Sequence, residues 1–512
     1  MTIDFYNLPD DPKTWELLGT GKTAGIFQLE NLNLGGRFAK KIKPKTIEDI
    51  AAIATIIRPG TLASELEDGE SAAIHYERRH RGVEKPKSLH PALDKILEST
   101  QNILLYQEQT LQLSREVAGF DDKSAMKLLK GIGKKKADLI LQLEEQFVEG
   151  CQKTSGLTKE DAQYIFNILK ASARYAFNKS HAVEYSDITY QCAYAKANVP
   201  LEFYTATLRM AKNRVGHKAE IEKLVKEAAE FGIKVRIPQL KTATVDFDII
   251  DEEIHFGLSN IKGIGEDQAQ KVLDVRDRLT KLHFYPPRQV EDVSWYEWLL
   301  NIYRLKKTVV ENCINCGLFG PDRRSKMDDY KNLMLLSDGE KKWVDANWKR
   351  YDNLLDLIGG VYQQCITRRK EKLESLYKVV AAPRETLEDN LKDTTRLERE
   401  LLGCTVSFDN IDIVRADGNC TIQEFNEGRF EKQYRIVAEV ARIKPYVIQK
   451  GPSEGKTMAF LSIFDRTGKM DIVAFDSVYD EFGGYFNESA TLMFIGYRSK
   501  KGTFCITKVH QV

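Results

Sequence analysis

Asn178-Lys179-Ser180-His181 places an amide, an ammonium, a hydroxyl and an imidazole on four successive residues. Apart from the lysine's charge these are short polar donors, a set that can surround a triphosphate without crowding it. On spacing alone the same residues equally suit a surface turn. A second stretch, Lys127-Leu128-Leu129-Lys130-Gly131-Ile132-Gly133-Lys134-Lys135-Lys136, carries five lysines and no acid in ten residues. Such a run is a solvated face, a hairpin around Gly131-Ile132-Gly133, or a phosphate-binding patch. A third, Leu258 to Val272, centres on Lys262-Gly263-Ile264-Gly265. Two short helices meeting at that turn make a helix-hairpin-helix pattern, with Ala269 small enough for close packing and Ile261 and Val272 closing the gap. Backbone N–H groups left free at a helix N-terminus, with Lys262 and Lys271 beside them, would grip a DNA backbone without reading its sequence. A plain glycine-capped turn is the alternative.

Two other spacings invite a chemical reading and do not sustain it. Leu18 to Gly25 contains Gly21-Lys22-Thr23, but a phosphate loop needs a glycine five positions earlier, where Glu16 stands. What precedes it reads as a short helix capped by Asp11 with Pro12 at its first position, so the glycines are expected to stop a helix. Cys313 and Cys316 have C-x-x-C spacing, which is half a zinc site at most, and the other cysteines of the eight are scattered. Two reduced cysteines on a helix are expected there, and no metal site.

The elements that would carry these residues are mainly helical up to about residue 245. Tyr106, Thr110, Leu113 and Val117 follow one helical stripe, and Thr158 with Asp161 forms a capping box leading into Ile165, Ile168 and Leu169. Ile254 to Gly257 reads as a short strand. A mixed helical region follows, broken at Pro286-Pro287 and Gly320-Pro321, and residues 366 to 400 form a densely charged helical connector. In the last eighty or so residues the period changes to that of strands. Runs at Tyr434 to Ile448, Thr457 to Phe464, Met470 to Phe475, Thr491 to Tyr497 and Thr503 to Val509 surround one helix-like piece, Ser477 to Phe486. Five strands with a helix between the third and fourth is the order of an OB-fold barrel.

Composition bounds the function classes. The 512 residues suit about three or four domains. With 42% hydrophobic residues, a mean hydropathy of -0.40 and no apolar run near the ~20 residues of a membrane span, no membrane role is expected. Met1-Thr2-Ile3-Asp4 opens no secretory signal, so a cytoplasmic location is expected. A net charge of +1, from 76 basic and 75 acidic residues, leaves nucleic-acid binding to local clusters.

Six ordered stretches together resemble a known family, the bacterial C-family replicative polymerases or DNA polymerase III alpha subunits, over nearly the whole chain. They are Gly25-Ile26-Phe27-Gln28-Leu29-Glu30; Arg58-Pro59-Gly60; Leu105-Tyr106-Gln107-Glu108-Gln109; Gly133 to Lys136; Phe177 to Ala182 with Tyr185, Tyr190-Gln191, Lys196-Ala197 and Pro200 to Phe203; and the Gly257 to Gly265 hairpin. A barrel containing Phe464-Asp465-Arg466-Thr467-Gly468 follows where that family has one. The resemblance implies that Arg58, Lys134, Lys135, Lys136, Asn178, Lys179, Ser180 and His181 hold the triphosphate of an incoming dNTP. It further implies that the hairpin, at Lys262, Gly263, Ile264, Gly265 and Lys271, grips duplex DNA, and that the barrel lies near the single-stranded template. Lys444, Tyr446 and Phe460 are the candidate barrel contacts, since such barrels stack bases on aromatics beside a basic groove.

The departures are as specific. The palm carboxylates that hold two Mg2+ ions in this family lie upstream of the motif that opens this chain, so no catalytic residue is assigned here. The family's two arginines before Gly-Lys-Lys-Lys are matched by Leu129 and Lys130, and residues 320 to 400 hold no clear clamp-binding motif.

The expected organisation is a multidomain α+β protein. It comprises a helical fingers-like domain over 1–245, a helix-hairpin-helix domain over 246–330, a charged connector over 331–430 and an OB-fold β-barrel over 431–512. The expected function is the fingers and DNA-binding half of a split replicative polymerase, inactive alone. Its partners would be template-primer DNA, dNTP, a separate palm-containing chain and, as an open question, a sliding clamp. The alternative is a non-catalytic DNA-binding accessory protein using the hairpin and barrel, with a truncated product or an independent ATPase behind it.

Overall fold

The computed structural model describes residues 3–30, 32–62, 69–86, 88, 90–133, 137–172, 176–212, 214, 216–280, 288–366, 368–382, 389, 391–406, 420–426, 433–449, 453–465, 468–487, 490–499 and 503–511. Two compact units divide the chain: Met1–Lys234 with Ile249–Ile254, and Val235–Asp248 with His255–Val512. No helix among the described residues is long and apolar enough to cross a membrane.

The first unit is helical. Asp11 caps the helix Pro12–Thr20 by accepting the N–H of Thr14 at 3.0 Å. Gly21, at φ +79°, ends it, and a Cβ there would stand 2.7 Å from the Gly36 carbonyl oxygen. Gly21-Lys22-Thr23 is therefore the helix stop that its spacing predicts, with Lys22 paired to Glu230 at 3.0 Å. Thr158 and Asp161 form the expected box, the Asp161 N–H donating to Thr158 Oγ1 at 3.1 Å, at the start of the helix Lys159–Ser172. That helix shares one apolar core with Gln107–Glu116, Asp122–Gly133 and Ala137–Ser155, built from Leu113, Leu128, Ile132, Phe147 and Phe166. Each such side chain contributes about 1.5–3 kcal/mol by leaving water. Gly131-Ile132-Gly133 are the last three residues of the helix Asp122–Gly133, with Ile132 buried in that core. The twenty-residue helix Lys179–Asn198 packs against Ile47–Ile56 and Pro12–Thr20.

In the second unit, a single 3-10 turn at Leu258–Asn260 precedes the helix Glu266–Thr280, so the first arm of the hairpin is shorter than a helix. Helices follow at Trp295–Ile302, Lys307–Asn315, Arg323–Met334, Asp338–Asn347, Leu354–Gln364, Lys370–Ala381 and Leu391–Leu402. Cys313 and Cys316 sit buried as free thiols on and just after the second of these, and burial pushes the Cys316 thiol up to about 12, which leaves it inert.

Strands Tyr434–Val447, Thr457–Asp465, Gly468–Ala474, Thr491–Arg498 and Phe504–Gln511 close into a barrel in the order first, second, third, fifth, fourth, with the fourth pairing back to the first. The expected helix between the third and fourth strands spans Asp476–Phe482. Alternation buries Ile436, Ala438, Leu461, Ile463 and Ile472 inside. Buried Asp465 accepts the N–H groups of Gly468 (3.0 Å) and Ile422 (2.8 Å), while its neighbours Arg466 and Thr467 lie outside the described residues.

Candidate nucleotide and nucleic-acid sites

The motifs that are far apart in sequence meet at the N-terminus of the helix Lys179–Asn198. Tyr106 and Phe177 form a short parallel bridge, in which the Phe177 N–H donates to Leu105 O (2.9 Å) and the Gln107 N–H to Phe177 O (2.8 Å). That bridge fixes where the long helix begins. Asn178 is its cap, with Oδ1 accepting the His181 N–H at 2.8 Å. Glu108 faces the same end, accepting from Asn178 Nδ2 at 2.9 Å and from the Lys179 N–H at 2.8 Å. A carboxylate is thus already held where a helix N-terminus favours negative charge. The Ser180 N–H takes no acceptor among the described residues.

Arg58 completes the cluster, its guanidinium carbon 3.4 Å from the centroid of the Phe177 ring. Burial lowers the Arg58 pKa, but an arginine stays charged at any working pH. Phe177 also contacts His181 (centroids 5.4 Å), His181 contacts Tyr185 (4.0 Å), and Tyr185 contacts Phe27 (5.5 Å). Lys179 Nζ lies 5.8 Å from the Tyr106 ring, and burial pushes the Tyr106 phenol well up, so it stays neutral beside that cation. Neither Arg58 nor Lys179 has a carboxylate partner among the described residues. The structure therefore brings together Arg58, Asn178, Lys179, Ser180 and His181.

Lys134, Lys135 and Lys136 lie outside the described residues. Just before them, Leu129 packs against the helical core and Lys130 is exposed. Sequence reasoning gave no role to Phe177 as the platform for Arg58 or to Glu108 as the carboxylate at the helix end. The adjacency of Phe177 to Asn178 signals only the first. A cavity of about 420 Å3 opens elsewhere in this unit, lined by Gly25, Glu30, Arg214, Glu220 and Lys223 among others, away from the predicted donors. Arg214 there already pairs with Glu30 (3.1 Å) and Glu220 (2.6 Å).

In the hairpin, Gly263 has φ +78° and the N–H groups of Gly263 and Gly265 take no acceptor among the described residues, whereas Ile264 is buried as the packing residue of the turn. The Lys262 N–H is occupied by Leu401 O at 2.8 Å, and its ammonium lies 3.6 Å from Glu400. Lys271 is exposed on the following helix. On the barrel, Lys444 pairs with Phe460 and Tyr446 with Met458 across the first two strands. The Tyr446 and Phe460 rings lie 6.3 Å apart, and both are exposed, as is Lys444.

The chain thus combines a helical unit whose distant polar motifs converge on one helix end with a helix-hairpin-helix and a closed five-stranded barrel. Residues 1–155 match the bacterial DNA polymerase III alpha subunit finger domain, and residues 232–325 match a helix-hairpin-helix motif. The chain is homologous over nearly its whole length to bacterial proteins named DNA polymerase III subunit alpha. It is 30% identical to that of Aquifex aeolicus over 500 residues, covering 97% of this chain and 38% of the relative. Identity to the Thermus aquaticus protein is 30% over 510 residues (96% and 38%), and to the Treponema pallidum protein 30% over 506 residues (97% and 39%). The chain thus spans under two fifths of the length of these relatives.

Proposed function

We propose that this chain forms the fingers and DNA-gripping part of a replicative DNA polymerase, binding the incoming dNTP and the template-primer for template-directed nucleotidyl transfer. The observation that carries this reading is the convergence of Arg58, Lys179 and the Asn178-capped helix end on one side of the first unit, with two cations lacking carboxylate partners among the described residues. Glu108 takes two donors of that helix end. A triphosphate would be left the Ser180 N–H and hydroxyl, the His181 imidazole, the Lys179 ammonium and the Arg58 guanidinium. These are directional donors and positive charge aimed at an anion, which is how positioning and electrostatics serve phosphoryl chemistry.

In the second unit, the open N–H groups of Gly263 and Gly265 with Lys271 would hold a duplex backbone, and Lys444, Tyr446 and Phe460 would hold a single strand. Among the described residues no three His, Cys, Asp or Glu side chains cluster as a metal site. The metal-holding carboxylates of the reaction would come from a palm-bearing polypeptide, the partner in this reading, and a sliding clamp would be a further one.

The test is primer extension by the chain assembled with a palm-bearing polypeptide. Template-dependent extension abolished by Lys179→Ala is expected. Normal extension after that change overturns the nucleotide assignment. Salt-dependent DNA binding with no nucleotide dependence would instead favour a non-catalytic DNA-binding accessory protein.

A further inference from the structure

Lys196 is fully buried near the far end of the helix whose first turn carries Asn178 to His181. Fifteen residues, or about 22 Å of helix, separate it from His181. Its ammonium donates to Glu227 and, at 2.7 Å, to the carbonyl oxygen of Ala24. Glu227, also buried, accepts from the Tyr204 hydroxyl at 2.8 Å and from the Ala24 N–H at 3.4 Å. Both backbone polar groups of Ala24 are therefore held by one ion pair. Around the ammonium stand the rings of Tyr204 (5.2 Å), Phe203 (5.5 Å) and Phe231 (5.9 Å).

A buried ion pair is a weak source of net stability, because desolvation cancels most of the attraction and apolar side chains of the same volume often do as well. What apolar side chains cannot do is grip an N–H and a C=O at once. Ala24 leads directly into Gly25, at φ +70°, where a Cβ would lie 2.8 Å from Thr207 Cγ2, so the chain turns into Ile26 and Phe27 under tight constraint. The Phe27 carbonyl accepts from Thr189 Oγ1 at 3.1 Å, and its ring meets Tyr185, which meets His181, which meets the Phe177 platform of Arg58. An unbroken series of contacts thus runs from the buried pair to the candidate triphosphate donors.

We propose that Lys196 and Glu227 are positioning residues for the nucleotide site: by fixing Ala24 they set Phe27, and through Tyr185 they align His181 and the Phe177–Arg58 stack. The proposal rests on the reading of that helix end as the nucleotide site. The ion pair is not built for strength. Burial pushes the Lys196 ammonium down to about 8, with the charges of Glu227 and Glu230 opposing the shift and that of Lys223 adding to it.

The experiment uses the full chain assembled with a palm-bearing polypeptide, and compares the apolar pair replacement Lys196→Met/Glu227→Leu with Phe27→Leu. A 10- to 50-fold rise in dNTP KM is expected for each, with kcat changed less than threefold and primer-template affinity unchanged. Combining all three substitutions should raise KM no further than the pair alone, because they lie on one route. An unchanged KM in the pair variant, or a KM that rises only in step with lost DNA affinity and a lowered Tm, overturns the proposal. Should the pair variant fail to fold, Phe27→Leu decides alone, an unchanged KM again being the refuting result. Lys179→Ala separates the two levels. If it leaves extension normal, the nucleotide reading itself fails, and if it abolishes extension while the pair variant keeps an unaltered KM, only the positioning role fails.

Discussion

Replacing Phe177 by Leu tests whether the ring is part of the anion site or only of the core. The Arg58 guanidinium carbon lies 3.4 Å from the ring centroid, a stacked arrangement. Cation–π contacts are worth ~0.5–1 kcal/mol in water and about 2 kcal/mol when desolvated. Arg58 is on the surface but burial lowers its pKa, which places this contact between the limits, at about 1–1.5 kcal/mol. That energy is spent in orienting the guanidinium, so the expected loss is roughly 5- to 12-fold in dNTP Kd. Leu retains most of the apolar volume, and the backbone of residue 177 stays fixed by its bonds to Leu105 and Gln107, so the thermal midpoint should hardly move. The assay is equilibrium dialysis of dATP against the assembled protein on a primer-template presenting dT. Arg58→Ala, Phe177→Leu and the double variant complete a cycle. In the Arg58→Ala background Phe177→Leu should have no further effect. Additive losses, or an unchanged Kd in Phe177→Leu alone, would refute the reasoning that the ring acts through the arginine.

Acid stability of the first unit should depend on Glu77. Burial alone would raise its carboxyl pKa, but hydrogen bonds from Lys41 (2.7 Å) and Arg81 (2.6 Å) outweigh it and hold the carboxyl below the ordinary 4.5. A pKa lower in the folded state contributes stability above about pH 4.5 that is lost as pH falls through the folded value. Glu77→Gln should therefore lower the thermal midpoint at neutral pH and flatten its fall below pH 4.5, and an acid limb as steep as that of the unaltered protein would contradict this. On the barrel, Phe460→Ala should weaken binding of a single-stranded oligonucleotide by roughly 5- to 150-fold, the worth of one stacked base at ~1–3 kcal/mol. Duplex binding should not change, and equal losses on both probes, measured by fluorescence anisotropy, would remove the stacking role.

Local chemistry was legible in the sequence. Asp11 and Pro12 open a helix and Gly21 ends it because capping and positive φ are decided within a few residues. The barrel strands were readable to within about three residues at each end, since a period of two repeats five times between turn residues. Gly131-Ile132-Gly133 shows the limit: the tripeptide resembles the hairpin at Gly263, but its residues are the last of a helix whose Ile132 joins the core of Leu113, Phe147 and Phe166, whereas Gly263 turns at φ +78°. The Asn178 to His181 donors were visible as residue types, and their family resemblance gave them a role. What no local pattern contains is that residues 58, 108 and 177 meet at one helix end, or that Lys196 and Glu227 close on Ala24. Those contacts span from 31 to 203 positions of chain, and they exist because burial of the intervening helices brings the segments together. The sequence by itself determined the elements and the kinds of donor. The tertiary structure alone decided which donors share a site and which cations have no carboxylate partner among the described residues, because long-range packing, unlike capping or strand alternation, depends on every helix in the unit at once.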